Sequence, residues 1–396
     1  MTTSVSTAQG GSVQHGLTEH SHGADVPIQI RSERLRSTSL DDFAPISRRE
    51  EQWRYLDADR LNGLDSAEIS EYVGDIETKA PAEIQTSWVG PEHPAFGAAG
   101  IPEDRTSAAA WQAAAQAYLV TIPSDTKPDC EVQVIVRSES FEPAAMHTII
   151  DAKPHSNAIV ILDHKGDATF GENVEILVGD EANLTVISIQ DWGAKSTHTS
   201  AQFAKLGRNS KLKHVVVSLG GKTLRVTPSA EFTAPGGEVE LLGLYFADQG
   251  QYMEHRLYVD HAVPNCKSDV KYKGALQGDK AHTVWVGDVL IRMAAEGTQT
   301  YELNRNLLLT DGARADSVPN LEIETGKIEG AGHASASGRF DDEQLFYLQA
   351  RGINESEARR LVVRGFLNEI IQQIGVEEIE TRLTAAIEAE LERSAN

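Results

Sequence analysis

Between Asp129 and Ile323 the chain repeats one short phrase, a β-branched run followed by a small polar corner. The runs include Val132–Val136, Ala158–Leu162, Val174–Val178, Leu184–Ile189, Lys213–Val217, Val239–Tyr245 and His282–Gly287. Many alternate with period two, the pattern of a strand with one buried face. Corners at Lys165–Ala168, Gly179–Ala182, Gly207–Ser210, Pro235–Gly237 and Asp311–Ala313 separate them. No stretch of helical period lies between the runs, which disfavours βαβ units. A sandwich and a β-solenoid remain. The close spacing of the corners at Gly166 and Gly179 favours successive turns of a coil. A coil pairs its strands along its axis but leaves an open edge at each end, which the flanking segments are expected to cap.

The flanks read differently. Residues 1–24 have the composition of a disordered tail, and His15, His20 and His22 within it read as solvated rather than metal-bound. Residues 25–125 read as mostly helical. They hold a charged, aromatic segment at Arg48–Tyr55, a helix-like stretch from Ser66, breaks at Pro91, Pro94 and Pro102, and an alanine-rich helix over Ala108–Ala117. The strand region spans 126–337, and a helical period returns over 338–396. Asp341–Gln344 offers an acidic helix start, Gly352 a C′ stop, and Asn354 with Glu357 the spacing of a capping box. Leu361, Val362, Phe366 and Ile370 then share one stripe, and Val376, Ile379, Leu383, Ile387 and Leu391 form another. Such stripes are usually core; on a small terminal region they serve equally as a docking face for another protein.

The 36 basic and 59 acidic side chains give a net charge of −23, which repels a nucleic-acid backbone and leaves basic partners and metal cations open. The first residues lack an apolar signal region and no run approaches ~18 consecutive apolar residues, so the expected setting is the cytoplasm, with no membrane partner. The two cysteines, Cys130 and Cys266, form no CxxC pair. No P-loop, GxGxxG, HExxH or GxSxG string occurs, and Gly220-Gly221 reads as a tight turn. Parallel β-solenoids include carbohydrate lyases and hydrolases, but no cluster of acidic residues identifiable by spacing supports that reading. His255 and His261 fall on one strand face around Leu257 and Val259 and read as structural, with Glu254 and Asp260 on the opposite face. His333 stands in the small-residue run Gly330–Gly338, where strands give way to helices. An accessible imidazole is a competent iron ligand once other ligands join it, although spacing alone reads it as a linker residue.

Several segments in order carry a specific resemblance: HRLYVDH (His255–His261), SDVKYKG (Ser268–Gly274), NRNLLL (Asn304–Leu309), PNLEI (Pro319–Ile323), DEQLFYL (Asp342–Leu348) and ARGI (Ala350–Ile353). With Glu357–Arg359, Gly365-Phe366 and the upstream Arg49–Tyr55 element, they resemble the SufB/SufD family of iron–sulfur cluster assembly subunits. The resemblance implies a right-handed parallel β-helix flanked by N- and C-terminal helical regions. It implies a non-catalytic scaffold that forms a heterodimer with SufB through the β-helix ends. The C-terminal helices would dock the ATPase SufC, with Leu361, Val362 and Phe366 in or beside that face. His333 would be an iron or nascent-cluster ligand at the SufB interface, the cargo being transient and shared. A homodimer in isolation, or a complex with SufC alone, is the alternative; a reduced flavin in the complex is left open. No cysteine follows Cys266 and Gly332-His333-Ala334 replaces the Ser-His-Glu-Ala of SufB, which implies the SufD side of the family. Ala331 stands where some SufD relatives carry a cysteine, so no sulfur ligand is expected beside His333.

Overall fold

The computed structural model describes residues 34–340 and 342–393. Before the main array lie strands β1 (Ser70–Glu71), β2 (Asp75–Lys79), β3 (Gln85–Val89) and β4 (Ala117–Ile122), with helix α1 (Arg105–Ala113) between β3 and β4. Two long strands follow, β5 (Val132–Ala152) and β6 (Asn157–Val178). Then come β7 (Asn183–Trp192), β8 (Thr197–Leu206), β9 (Lys211–Ser218), β10 (Thr223–Phe232), β11 (Glu238–Ala247) and β12 (Tyr252–His261). The array closes with β13 (Lys267–Leu276), β14 (His282–Ile291), β15 (Gln299–Leu308), β16 (Arg314–Ile323) and β17 (Gly330–Arg339). Helices α2 (Asp342–Ala350), α3 (Glu355–Ile374) and α4 (Glu377–Arg393) end the described chain. The tail residues His15, His20 and His22, and Asp341 of the acidic helix start, lie outside the described residues.

From β6 onward each strand pairs in parallel with the next but one, β7 with β9, β9 with β11 and so on to β15 with β17. The other wall runs from the second half of β6 through β8, β10, β12 and β14 to β16. The chain is thus a parallel β-solenoid, mainly β, with helices in its terminal regions. Twenty-six residues separate Thr197 from its partner Thr223, and 32 separate His282 from Arg314. This variable repeat explains why the period was hard to read in the sequence. The corner at Gly166 lies inside the bent strand β6, at φ +92, where a Cβ would stand 2.1 Å from the Ser138 carbonyl oxygen. Only glycine accepts that backbone.

Side chains of every second residue point into the lumen. Most rows are apolar and form the main core, for example Val160–Val186 and Val174–Ile176 with Leu224, Val226 and Val259. One register row is polar from end to end: His164, Gln190, Ser218, Tyr245, Gly274, Asn306 and Ser337. Its members bond to each other and across the lumen. Gln190 Nε2 donates to Ser188 Oγ at 2.8 Å, Ser218 Oγ meets His255 Nε2 at 3.0 Å, and Tyr245 donates to Asn306 Oδ1 at 2.6 Å. Asn304 donates to the Tyr245 hydroxyl at 2.9 Å and Asn306 to Asn304 Oδ1 at 2.8 Å. A buried polar row of this kind costs little only while its groups find partners, so it fixes register as well as stability.

Each wall is covered on its outside by a terminal region. The N-terminal segment lies over the wall of β8 to β14, burying Leu40, Phe43, Trp53, Leu56, Leu61 and Leu64 with Tyr252, Val284 and Val286. Arg225 ties it down: Nη1 donates to Glu254 at 2.7 Å, Nη2 to Asp104 at 3.0 Å, and its guanidinium lies 4.2 Å from the Trp53 ring centre. Asp104 is also the N-cap of α1, accepting from Ser107 N–H. This region departs from the helical expectation for 25–125. Its described part holds one α-helix, three short 3-10 turns and four strands. The stretch from Ser66 is a turn leading into β1, because Glu68 is held by the Ser66 hydroxyl rather than by a helical turn.

Helices α3 and α4 cover the wall of β7 to β15. Asn354 caps α3, its side chain accepting from Glu357 N–H at 2.9 Å, and Gly375 closes it at φ +80. Val363, Leu367, Ile370, Ile371 and Ile374 pack with Ile379, Leu383 and Ile387 on Val215, Val217, Leu242, Leu244 and Phe246. Each such side chain contributes about 2 kcal/mol of apolar burial. Arg382 clasps Asp163 with both ends of its guanidinium, at 2.8 and 2.9 Å, and reaches Asp191 at 2.9 Å. Burial pulls the Asp163 carboxyl up, but Arg382 and Lys165 outweigh it and hold it below the usual carboxylate range. Arg382→Ala is expected to cost about 2 kcal/mol, leaving a buried carboxylate with Lys165 alone. Limited proteolysis would report earlier release of α3–α4; an unchanged digestion pattern would show that the apolar face suffices.

The flanks cover the walls, and the N-terminal one also closes its own end of the coil as expected, β4 lying parallel on β5; the far end departs from that expectation. At the N-terminal end β2 and β3 pair antiparallel to β5 and β4. At the other end β16 pairs only with β14 and β17 only with β15, leaving two free edges among the described residues.

Candidate functional site at the open end

His333 lies on β17, the last strand of its wall, and is exposed. Its neighbours Gly332, Ala334, Ser335, Ala336 and Ser337 carry too little side chain to cover it. In register beneath it stands Glu302 of β15. Register partners share a face in a parallel sheet, so both side chains belong to the lumenal row that also holds Val270 and His214. Glu302 is 1% exposed, and neither of its oxygens has a hydrogen-bond partner among the described residues. Burial and the nearby Asp288 push its carboxyl up to about 8. Across the lumen stand Trp285, whose Nε1 is also unpartnered, and Gly287. A Cβ at Gly287 would lie 2.5 Å from Glu302 Oε1 and 2.4 Å from the Trp285 ring. Glycine there gives the carboxyl its room.

Deeper in the lumen His164, Glu172 and His198 lie with one ligand atom each within 4.8 Å of the others. Their hydrogen bonds show a closed ion pair rather than a metal seat. Trp192 Nε1 donates to His198 Nδ1 at 2.9 Å, so the proton of His198 is on Nε2, facing Glu172. His164 Nδ1 meets the Ile189 carbonyl at 3.1 Å and Nε2 meets Glu172 at 3.0 Å. Two acceptors require both ring nitrogens to carry protons. Burial pulls His164 down, but the Glu172 contact outweighs it and raises its pKa. A Ser200 hydroxyl at 2.6 Å completes the carboxylate. His255 and His261 are buried on the lumenal face as expected, bonded to Ser218 and Ser268, with burial lowering them to about 3 and about 4.

The helical stripe expected in α3 is met at Ile370, which is buried, and falls one position off before it. Val363 and Leu367 are buried against the solenoid, while Leu361, Val362 and Phe366 are half-buried beside them. Phe366 packs at the rim, its ring 4.7 Å from Lys273 Nζ. The exposed aromatics of this region are Phe346 and Tyr347 on α2, 72% and 57% exposed. Phe346 and Tyr347 belong to the DEQLFYL segment, whereas Glu302 carries no motif of its own. No helix among the described residues is long and apolar enough to cross a membrane.

The profile of the SUF system FeS cluster assembly, SufBD core domain matches residues 134–366, from β5 into α3. An iron-sulfur cluster assembly SufBD family protein of Mycobacterium tuberculosis is 50% identical over 370 residues, covering 91% of this chain and 93% of its own length. One from Mycobacterium leprae is 49% identical over 377 residues, 93% of this chain and 96% of its own. The iron-sulfur cluster assembly protein SufD of Bacillus subtilis is 26% identical over 278 residues, 67% of this chain and 62% of its own. With this solenoid and these matches, the chain belongs to the SufBD family of iron–sulfur cluster assembly proteins.

Proposed function

We propose that the chain is the SufD-type scaffold of a SufBCD complex in the cytoplasm, in which iron or a nascent cluster is assembled as cargo against its open end. The observation that carries this is the unfinished solenoid. Free edges of β16 and β17 present unpaired backbone groups, and such edges are normally blocked or paired. A sister solenoid of SufB supplies the missing strands and, with its cysteine, the sulfur ligand that this chain lacks near His333. His333 then gives the seam a nitrogen ligand. SufC docks at the C-terminal helices, over the exposed Phe346 and Tyr347 and the half-buried Leu361, Val362 and Phe366. ATP hydrolysis on SufC drives the seam, and strain passes through α3–α4 because their apolar face is fastened to the β7–β15 wall. The chain itself catalyses nothing in this reading. Without SufB, the same free edges make a homodimer.

Substitution separates the two contacts. His333→Ala is expected to leave the SufBCD mass unchanged and to lower cluster yield, read by absorbance near 420 nm after anaerobic reconstitution, by about tenfold. Phe346→Glu with Tyr347→Glu is expected to abolish SufC co-purification while sparing the SufB contact. Full cluster yield from His333→Ala would remove the ligand role, and undiminished SufC capture would remove α2 from the docking face.

A further inference from the structure

Glu302 is the one carboxylate among the described residues with buried, unpartnered oxygens, and both of its oxygens are in that state. A buried carboxyl without a partner costs stability whether it is protonated or charged. Nothing in packing requires it: Val270 and Val186 fill the same lumenal row. Gly287 opposite leaves space at its oxygen, and Trp285 closes the floor. The missing partner is therefore one that arrives from the open end. Directly on that side stands His333. Adjacent strands lie about 4.8 Å apart. A divalent first-row ion takes imidazole nitrogen and carboxylate oxygen at about 2.0–2.2 Å, so two donors stacked one strand apart reach a single ion by rotamer adjustment. Nitrogen with oxygen donors suits iron(II), cobalt(II) or zinc, and does not suit a soft copper(I) ion.

We propose that Glu302 and His333 form this chain's own two-ligand seat for a divalent first-row metal ion at the mouth of the lumen, with the remaining positions left to water or to the partner's residues. The proposal rests on the reading of His333 as a ligand and adds to it a carboxylate from the same chain, buried one strand below. The lumen mouth then receives the ion before the sister subunit closes on it, and the ion gives Glu302 the contact that no side chain supplies.

Anaerobic cobalt(II) titration of the full chain tests this, with His15, His20 and His22 replaced by alanine so that tail histidines do not contribute. Visible absorption and calorimetry read binding. One cobalt(II) per chain is expected, with affinity weakened at least about tenfold in Glu302→Gln and in His333→Ala. Gly287→Ala, which fills the space at Glu302 Oε1, is expected to weaken it as well. Near-ultraviolet circular dichroism checks that each variant keeps its packing. Weakening in His333→Ala with wild-type binding in Glu302→Gln would overturn the seat while leaving the histidine as a ligand. Wild-type binding in His333→Ala would overturn both. No uptake by the parent chain would overturn the claim that this subunit holds the ion by itself.

Discussion

Gly274→Ala is expected to lower the apparent melting temperature by on the order of 4 °C. Gly274 lies in the polar lumenal row, fully enclosed, between Tyr245 on one turn and Asn306 on the next. A Cβ there would stand 1.7 Å from Tyr245 Cε2 and 2.3 Å from Cδ2, well inside contact distance. The ring has nowhere to retreat. Its hydroxyl is held by Asn304 and Asn306, and its face stacks on His255 at 4.9 Å between centres. Relief requires breaking those bonds or separating two turns, so about 3 kcal/mol is at stake. Tyr272 lies on Gly243 in the same way, 2.0 Å from a Cβ built there, so Gly243→Ala repeats the test independently. Gly338→Ala on the exposed end, where a Cβ meets nothing within 4 Å, is the control and is expected to melt as wild type. If Gly274→Ala also melts as wild type, the lumen is plastic and the polar row does not set the register.

The solenoid was legible where strands carry β-branched runs, as in β7, β9 and β11, because alternation reports one apolar lumenal face directly. It was illegible in β8, β16 and β17. The polar sequence of β8, Thr197–Leu206, is buried on both sides, with His198, Ser200 and Gln202 inside and the N-terminal segment outside. Those of β16 and β17 lie at an end where only one neighbour exists, so they need no apolar face. In the N-terminal region the alanine run does form α1, whereas the charged stretches at Arg48–Tyr55 and from Ser66 form short turns and a strand despite their helix-like composition. Their order comes instead from tertiary contacts such as Trp53 beneath Arg225, which no local period records. The stripe in α3 was displaced because four apolar residues lie nearly in succession, Leu361, Val362, Val363 and Phe366, and the sheet beneath decides which of them turn inward. At the open end His333 stood out through its small neighbours. Glu302 carries a local signal in the alternation of β15. Thr300, Glu302, Asn304 and Asn306 alternate with Tyr301, Leu303 and Arg305, which marks the acid as sharing a face with buried amides.

Glu302→Gln is expected to stabilise the chain, and to do so more at pH 8.5 than at pH 5, by about 3 kcal/mol in the difference between the two conditions. The sign follows from where the proton sits. Burial, with Asp288 close by, lifts the folded carboxyl to about 8, against 4.5 in the unfolded chain. Below pH 4.5 both states are protonated and the group imposes no charge cost. Between 4.5 and about 8 the unfolded chain sheds the proton and the folded chain keeps it, so stability falls as pH rises. Above about 8 both states are charged and the penalty is complete. Glutamine is neutral throughout and escapes that slope, while keeping the size of the side chain and much the same lack of partners. The charge of Asp288, on the outer face of β14, adds to the rise, while Trp285 of β14 and His333 of β17 stand on the lumenal side. Denaturant melts of both proteins at the two pH values, in chelator so that no metal masks the carboxylate, read the difference. Parallel stability curves would show that water or a shift of β17 solvates Glu302, and that its isolation in the lumen is not maintained in solution. A gain in stability on removing an acid that also takes up metal would mark the position as retained for its ligand chemistry rather than for the fold.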